Sequence, residues 1–257
     1  MKRGVLRFAL AAVLLFGFIF PAQAEEGLRD EVRARLEEMG FVMTEEMYRQ
    51  VCQEMDDYLE MVSGFEGFEQ FMDHYETREY FAYTMLMYLG MGDYDWETFE
   101  RTPLSDKIYA QDAEVFNVDQ MYTEFLEGVD FIIPDAEFAD IQEDLTGMKY
   151  DSYFSEGVRS VSFKCNGNAY EKELDSYGDW LNPEIIVYVN DVLKKEGCMA
   201  QLRVVSDEYD QIMMLIYGSK AEANMICRMI GVENAMEIEN DFSLSGIVDG
   251  LLDWLLP

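Results

Sequence analysis

Histidine is almost missing from this 257-residue chain, with His74 the single example. One imidazole excludes a metal site built on several histidines within a single chain, and a Ser/His/Asp or Cys/His arrangement would have to use that residue. His74 lies in "FMDHYETREY" beside Asp73 and Glu76 with no nucleophile located near it, so it reads as a solvated or capping side chain. The G-x-S-x-G elbow, the G-x-x-x-x-G-K-[ST] phosphate loop and the G-x-G-x-x-G fingerprint are also missing. Nucleotide-dependent chemistry therefore has no visible seat.

Positive charge is scarce as well. Lys and Arg number 19 against 52 Asp and Glu, a formal charge of −33. A field of that sign repels phosphate backbones and anionic membrane surfaces and attracts cations and basic proteins. It argues against nucleic-acid binding, whose affinity rests on Lys and Arg displacing counterions. The chain is not short of apolar residues: 49% hydrophobic and 14% aromatic content can fill a core, which argues against a disordered acidic chain.

The first thirty residues differ from the rest. Lys2, Arg3 and Arg7 precede an apolar run that ends in Ala22-Gln23-Ala24, directly before Glu25 and Glu26. A basic start, a short apolar stretch and a small-x-small exit together form the pattern of a secretory signal peptide, expected here over 1–24. The alternative is an uncleaved membrane anchor, because the run approaches the length of a spanning helix. Cleavage would leave 233 of the 257 residues and take the charge from −33 to −36. The expected location is secreted or extracytoplasmic, with the cell envelope included.

Cysteines at 52, 165, 198 and 227 are far apart, and none forms a C-x-x-C knuckle. Export permits disulfides, and four cysteines allow three pairings that sequence does not rank. Cys52 falls on the apolar face of a predicted helix, where cysteine packs as a small hydrophobe.

The hydropathy pattern predicts an α+β protein: a helical region over 25–92, a linker over 93–107, and a mixed α/β region over 108–257 with repeated hairpin-helix units. Leu28, Val32, Leu36 and Met39 mark a first helix closed by Gly40, and Thr44 caps a second that runs to Gly64. Residues 65–92 form a nearly saturated apolar run, which reads as a helix buried on most sides. Beyond the linker, 108–116 reads as a strand, 118–129 as a helix, "EFADIQEDL" as a strand and "TGMKYDSYFSEG" as a loop.

"VSFKCNGNAYEKEL" predicts a hairpin with Asn166-Gly167 as a two-residue type I′ turn. That register pairs Cys165 with Asn168 and Phe163 with Tyr170. It turns Val161, Phe163, Cys165, Tyr170 and Leu174 toward the core, making Cys165 a core side chain and not an exposed nucleophile. Residues 182–197 predict a helix with Asn182 as cap, Pro183 in the first turn and Gly197 at the end. A second hairpin turns near Ser206–Asp210, and its return strand "QIMMLIY" is apolar without alternation, as expected of a strand covered on both faces. A helix over 219–231 follows. The apolar tail "LSGIVDGLLDWLLP" reads as docking on its own domain or as a partner-binding helix.

Three functional readings follow. The first is a non-enzymatic extracytoplasmic interaction protein whose acidic surface meets a basic partner protein. The alternative is a secreted carboxylate-dependent hydrolase, although acidic pairs arise everywhere in such a composition. The third is a calcium-stabilised structural module. Asp93, Asp95 and Glu97 alternate in "GDYDWE" and offer the oxygen ligands calcium takes, without the remaining positions of an EF-hand loop. No catalytic or cofactor-binding residue is singled out.

Overall fold

A computed structural model describes residues 26–62, 78–95, 100–115, 117–150, 155–206 and 211–236. The expected signal segment 1–24, His74, Glu97 and the apolar tail lie outside the described residues. The class is α+β, as the hydropathy pattern predicts. No described helix is long and apolar enough to cross a membrane.

The described residues begin with three helices, α1 (Glu26–Glu38), α2 (Glu45–Val62) and α3 (Arg78–Met91). Thr44 Oγ1 accepts the Met47 backbone N–H at 3.2 Å and so starts α2, with Glu45 and Glu46 complementing the positive end of its dipole. A short antiparallel hairpin, β1 (Asp93–Asp95) with β2 (Glu100–Thr102), occupies part of the segment read as a linker.

The central sheet has three antiparallel strands in the order β3 (Ile108–Asp112), β9 (Ile212–Gly218), β8 (Gln201–Val204). The unbroken apolar run of β9 is explained by its place in the middle of that sheet. Ile212, Met214 and Ile216 join the core on the helical side, and Leu215, with Met213 and Tyr217 partly buried, joins the core on the other. Burying one such aliphatic side chain contributes about 1.5–3 kcal/mol. On the helical side α1, α2, α3 and α6 (Lys220–Met229) supply Leu36, Val51, Met85, Leu86 and Ile226. Ser219 begins α6 with a reciprocal capping box to Glu222.

Two helices lie close on β3 because glycine faces it from both sides. A Cβ on Gly90 of α3 would come within 2.7 Å of Ala110 Cβ and 2.8 Å of its backbone N. A Cβ on Gly128 of α4 (Met121–Asp130) would come within 1.9 Å of the Tyr109 ring. Residues 109 and 110 point to opposite faces of the strand, so each helix approaches its own face.

Beyond α4 and α5 (Glu184–Lys195) stands a second antiparallel sheet, built of β4 (Phe138–Asp144), β5 (Met148–Tyr150), β6 (Ser155–Cys165) and β7 (Asn168–Tyr177). Strands β4 and β5 pair with one edge of β6 and β7 with the other. The β6–β7 register is the predicted one, Cys165 opposite Asn168 and Phe163 opposite Tyr170, with Asn166 at φ +51° and Gly167 at +84°. A type I′ turn needs positive φ at both central residues, which Asn-Gly supplies. Asn182 Oδ1 accepts the Glu184 N–H at 2.9 Å and starts α5, and Gly197 at φ +85° ends it.

One expectation is corrected. The stretch 146–157, read as a loop, contributes strand β5, whose Met148 pairs with Gly157. Its three residues are too few to show alternation. The pairing depends on Gly157 at φ +132° and on a close approach in which a Cβ there would meet Gly147 O at 2.3 Å.

Candidate interaction surface

Among the described residues the second sheet is covered on one face only. Its inner face presents Arg159, Val161, Phe163, Cys165 and Leu174, all nearly inaccessible, to α4 and α5. Its outer face follows from the same register. On β6 it carries Val158, Ser160, Ser162 and Lys164. On β7 the residues opposite them and in phase are Glu171, Glu173 and Asp175, all exposed. Strand β4 adds Gln142 opposite Ser162 and Asp144 opposite Ser160, both exposed. Between Ala139 and Gln142 the β4 register shifts, and Asp140 takes a left-handed φ of +52°. A bulge of this kind re-aims a side chain. Asp140 meets Lys164 at 2.7 Å.

The face is thus a central row of hydroxyls flanked by carboxylates, with Lys164 and, on β5 opposite Glu156, the exposed Lys149 as cations. Hydrogen bonding to Asp140 raises the Lys164 pKa. The Asp144 carboxylate lies below its ordinary range because the Thr146 backbone N–H donates to it at 2.8 Å. Ser160 Oγ donates to Glu171 at 2.9 Å. At one end Val158 and Tyr177 are 40% and 42% exposed, and the register makes them diagonal neighbours on this same face. A tyrosine beside carboxylates offers both apolar contact area and a polar tip, as partner-binding surfaces commonly do.

Directly behind this face is a polar centre that the sequence reading did not single out. Arg159 and Glu143 form an ion pair at 2.8 Å with side chains 1% and 4% exposed. Glu143 Oε1 also accepts the Tyr122 and Thr123 N–H groups at 3.0 and 2.8 Å and the Thr123 hydroxyl at 3.0 Å. It therefore closes the N-terminus of α4 from a neighbouring strand. Arg159 Nη1 donates further to the Val118 carbonyl, and its guanidinium lies 5.6 Å from the Tyr122 ring centroid. Burial raises the Tyr122 hydroxyl pKa, and its oxygen accepts the Asn182 N–H at 3.4 Å. Enclosed in this way, the centre fixes α4 on the sheet and presents nothing to solvent. The signal for it was available: the inward phase of Val161, Phe163 and Cys165 also turns Arg159 inward, where a cation requires a partner.

The predicted calcium candidates are only partly placed. Asp93 and Asp95 lie in β1, opposite Thr102 and Glu100, with Asp93 exposed, and Glu97 lies outside the described residues. Among the described residues no group of three or more His, Cys, Asp or Glu side chains is gathered so as to hold a metal ion. All four cysteines are thiols, Cys165 and Cys227 buried and Cys52 and Cys198 half-buried. Burial raises the Cys52 pKa, consistent with a packing role.

Compared with known proteins, the chain matches no family model, no curated protein and no solved structure.

Proposed function

We propose that this chain is a non-enzymatic, extracytoplasmic interaction protein that docks a basic partner protein on the outer face of its second sheet. The observation that supports the reading is that face itself: Asp140, Asp144, Glu171, Glu173 and Asp175 surround one row of small polar side chains, with Tyr177 and Val158 at its end. Complementary charge would steer encounter and set register, and the tyrosine would supply desolvated contact area. Secretion enters as the compartment that the first 24 residues suggest.

The test is affinity capture of envelope and secreted proteins by the purified chain across a salt series. A stoichiometric basic partner is expected, retained at low salt and released as exposed charges are screened within about 10 Å at 0.1 M. The triple substitution Glu171→Lys, Glu173→Lys, Asp175→Lys should abolish capture while leaving the melting temperature close to that of the parent, since isolated surface changes shift stability by about ±0.5 kcal/mol or less. Capture unaffected by either salt or the triple substitution would refute the proposed face. An empty capture would likewise count against a basic partner protein.

A further inference from the structure

Four cysteines allow three pairings, and the fold separates them. Cys227 on α6 lies in the core on the helical side of the central sheet, and Cys52 on α2 packs against that core. Cys165, the last residue of β6, lies in the core between the two sheets, and Cys198, just after α5, packs against that one. A disulfide needs Cα atoms within about 7 Å. A bond between the two groups would have to pass through the hydrogen-bonded layer of β3, β9 and β8.

Within the second core, contacts from both flanks of Cys165 lead to Cys198. On the β7 side the residue opposite Cys165 is Asn168, whose Nδ2 donates to the Glu196 carboxylate at 3.0 and 3.2 Å, two residues before Cys198. Tyr170 donates to the same carboxylate. On the β4 side Cys165 lies opposite Phe138, and the next N–H, that of Asn166, donates to Glu137 O at 3.0 Å. The Cys198 thiol donates to the carbonyl of Asp135 at 3.7 Å, two residues earlier in that same segment. The end of the hairpin and the turn after α5 therefore enclose both sulfurs.

We propose that Cys165 and Cys198 are a disulfide-forming pair that closes under oxidising conditions and ties the end of the β6–β7 hairpin to the α5–β8 turn. The half-buried Cys198 thiolate attacks a disulfide donor such as oxidised glutathione, forming a mixed disulfide and releasing one glutathione thiolate. Cys165 then attacks the Cys198 sulfur, its proton passing to the departing sulfur, so that the protein disulfide forms and the second glutathione leaves as the thiol. Two thiols are oxidised and one glutathione disulfide is reduced. Burial above all, and then the charges of Glu196 and Cys198, push the Cys165 thiol up to about 11, so its thiolate is scarce at neutral pH and the second, intramolecular step is the slow one.

The purified full chain, incubated with oxidised glutathione, alkylated under denaturing conditions and cut with trypsin, gives a direct readout. Lys164 and Lys172 bound the fragment 165–172, and Lys195 and Arg203 bound 196–203. The expected product is these two fragments joined, separable by reductant, with Cys52 and Cys227 alkylated. Melting should rise on oxidation by on the order of 10 °C, the effect of closing a loop of that length. Cys198→Ser, at a half-buried position outside any helix or strand, should fold and lose both the linked fragments and the oxidation-dependent melting shift. Four alkylated cysteines after oxidation, a link from Cys165 to Cys52 or Cys227, or a melting shift that survives Cys198→Ser would each overturn the pairing.

Discussion

The two sides of the central sheet are closed by different means. On the helical side, Leu36, Met85, Leu86, Leu89, Ile108, Met214 and Ile216 meet across a largely apolar interface. Its ion pairs, Arg29–Asp56 at 2.7 Å and Arg33–Glu45 at 2.6 Å, lie at the rim with carboxylates 53% and 66% exposed. On the other side the apolar core of α4, α5 and the second sheet contains the Arg159–Glu143 pair, almost wholly withdrawn from water. Apolar packing of the first kind gives stability that tolerates adjustment, because side chains of similar volume can replace one another. The second kind fixes one arrangement, because any other leaves a charge buried without its partner. That rigid side holds up the sheet whose outer face carries the exposed carboxylates.

Breaking the polar centre should have the largest effect. Arg159→Leu would leave the Glu143 carboxylate in a space shaped for an ion pair, and a loss of about 3–5 kcal/mol is expected in urea unfolding. Adding Glu143→Leu should recover part of that loss, since two apolar groups no longer need each other. Recovery should stop short of the parent, because the Tyr122 and Thr123 N–H groups lose the acceptor that closes α4. A double variant as stable as the parent would show that the pair orders the core without stabilising α4.

A finer comparison uses the two helix glycines on β3. Gly90→Ala and Gly128→Ala each gain helix propensity and each meet an occupied space, and a net loss of about 2 kcal/mol is expected from overpacking. The obstacles differ. At Gly128 it is the Tyr109 ring, which also lies 4.3 Å from the Arg101 guanidinium and bonds Gln111 through its hydroxyl at 2.5 Å. Tyr109→Leu should relieve Gly128→Ala in a double-mutant cycle. At Gly90 the obstacle includes the backbone N of Ala110 at 2.8 Å, so Ala110→Gly should relieve Gly90→Ala only in part. Equal relief at both positions would show that the two helices approach β3 in the same way.

Much of this architecture was legible in the chain because its signals are local. Asn166-Gly167 specifies a turn by φ alone, and the register of ten residue pairs follows from it. Asn182, Pro183 and Gly197 bound α5 by satisfying or omitting backbone groups within a few residues. The apolar run of β9 declares a central strand by lacking alternation. What remained hidden is set by contacts distant in sequence. The pairing of β5 rests on two glycines ten residues apart, and Glu143 closes a helix that begins 22 residues before it. The acidic face was invisible for another reason: with 52 acidic residues, composition cannot say which carboxylates share a surface until β4 and β7 are placed on either side of β6.

The smallest of these effects concerns a carboxyl group on the helical side. Asp112, at the end of β3, has a pKa pushed up from 3.8 to about 6, chiefly by burial and secondarily by the charge of Glu114. Because the folded value exceeds the unfolded one, the native state holds this proton more tightly, and ionisation opposes folding. The group's contribution is most favourable below the unfolded value near 4, weakens as pH rises through about 6, and is constant above that. Glu222 has the opposite sign: hydrogen bonds from Ser219 lower its pKa, so its contribution is lost as pH falls. The difference between parent and Asp112→Asn isolates the first effect from the second. Asp112→Asn should be more stable than the parent at pH 7.5 by about 1–2 kcal/mol, allowing for partial solvent screening, and the gap should close between pH 6 and 4. A gap that stayed constant over that range would mean that Asp112 is ionised at little cost. The helical side would then carry no penalty for a buried charge, and the contrast with the Arg159–Glu143 side would be sharper still.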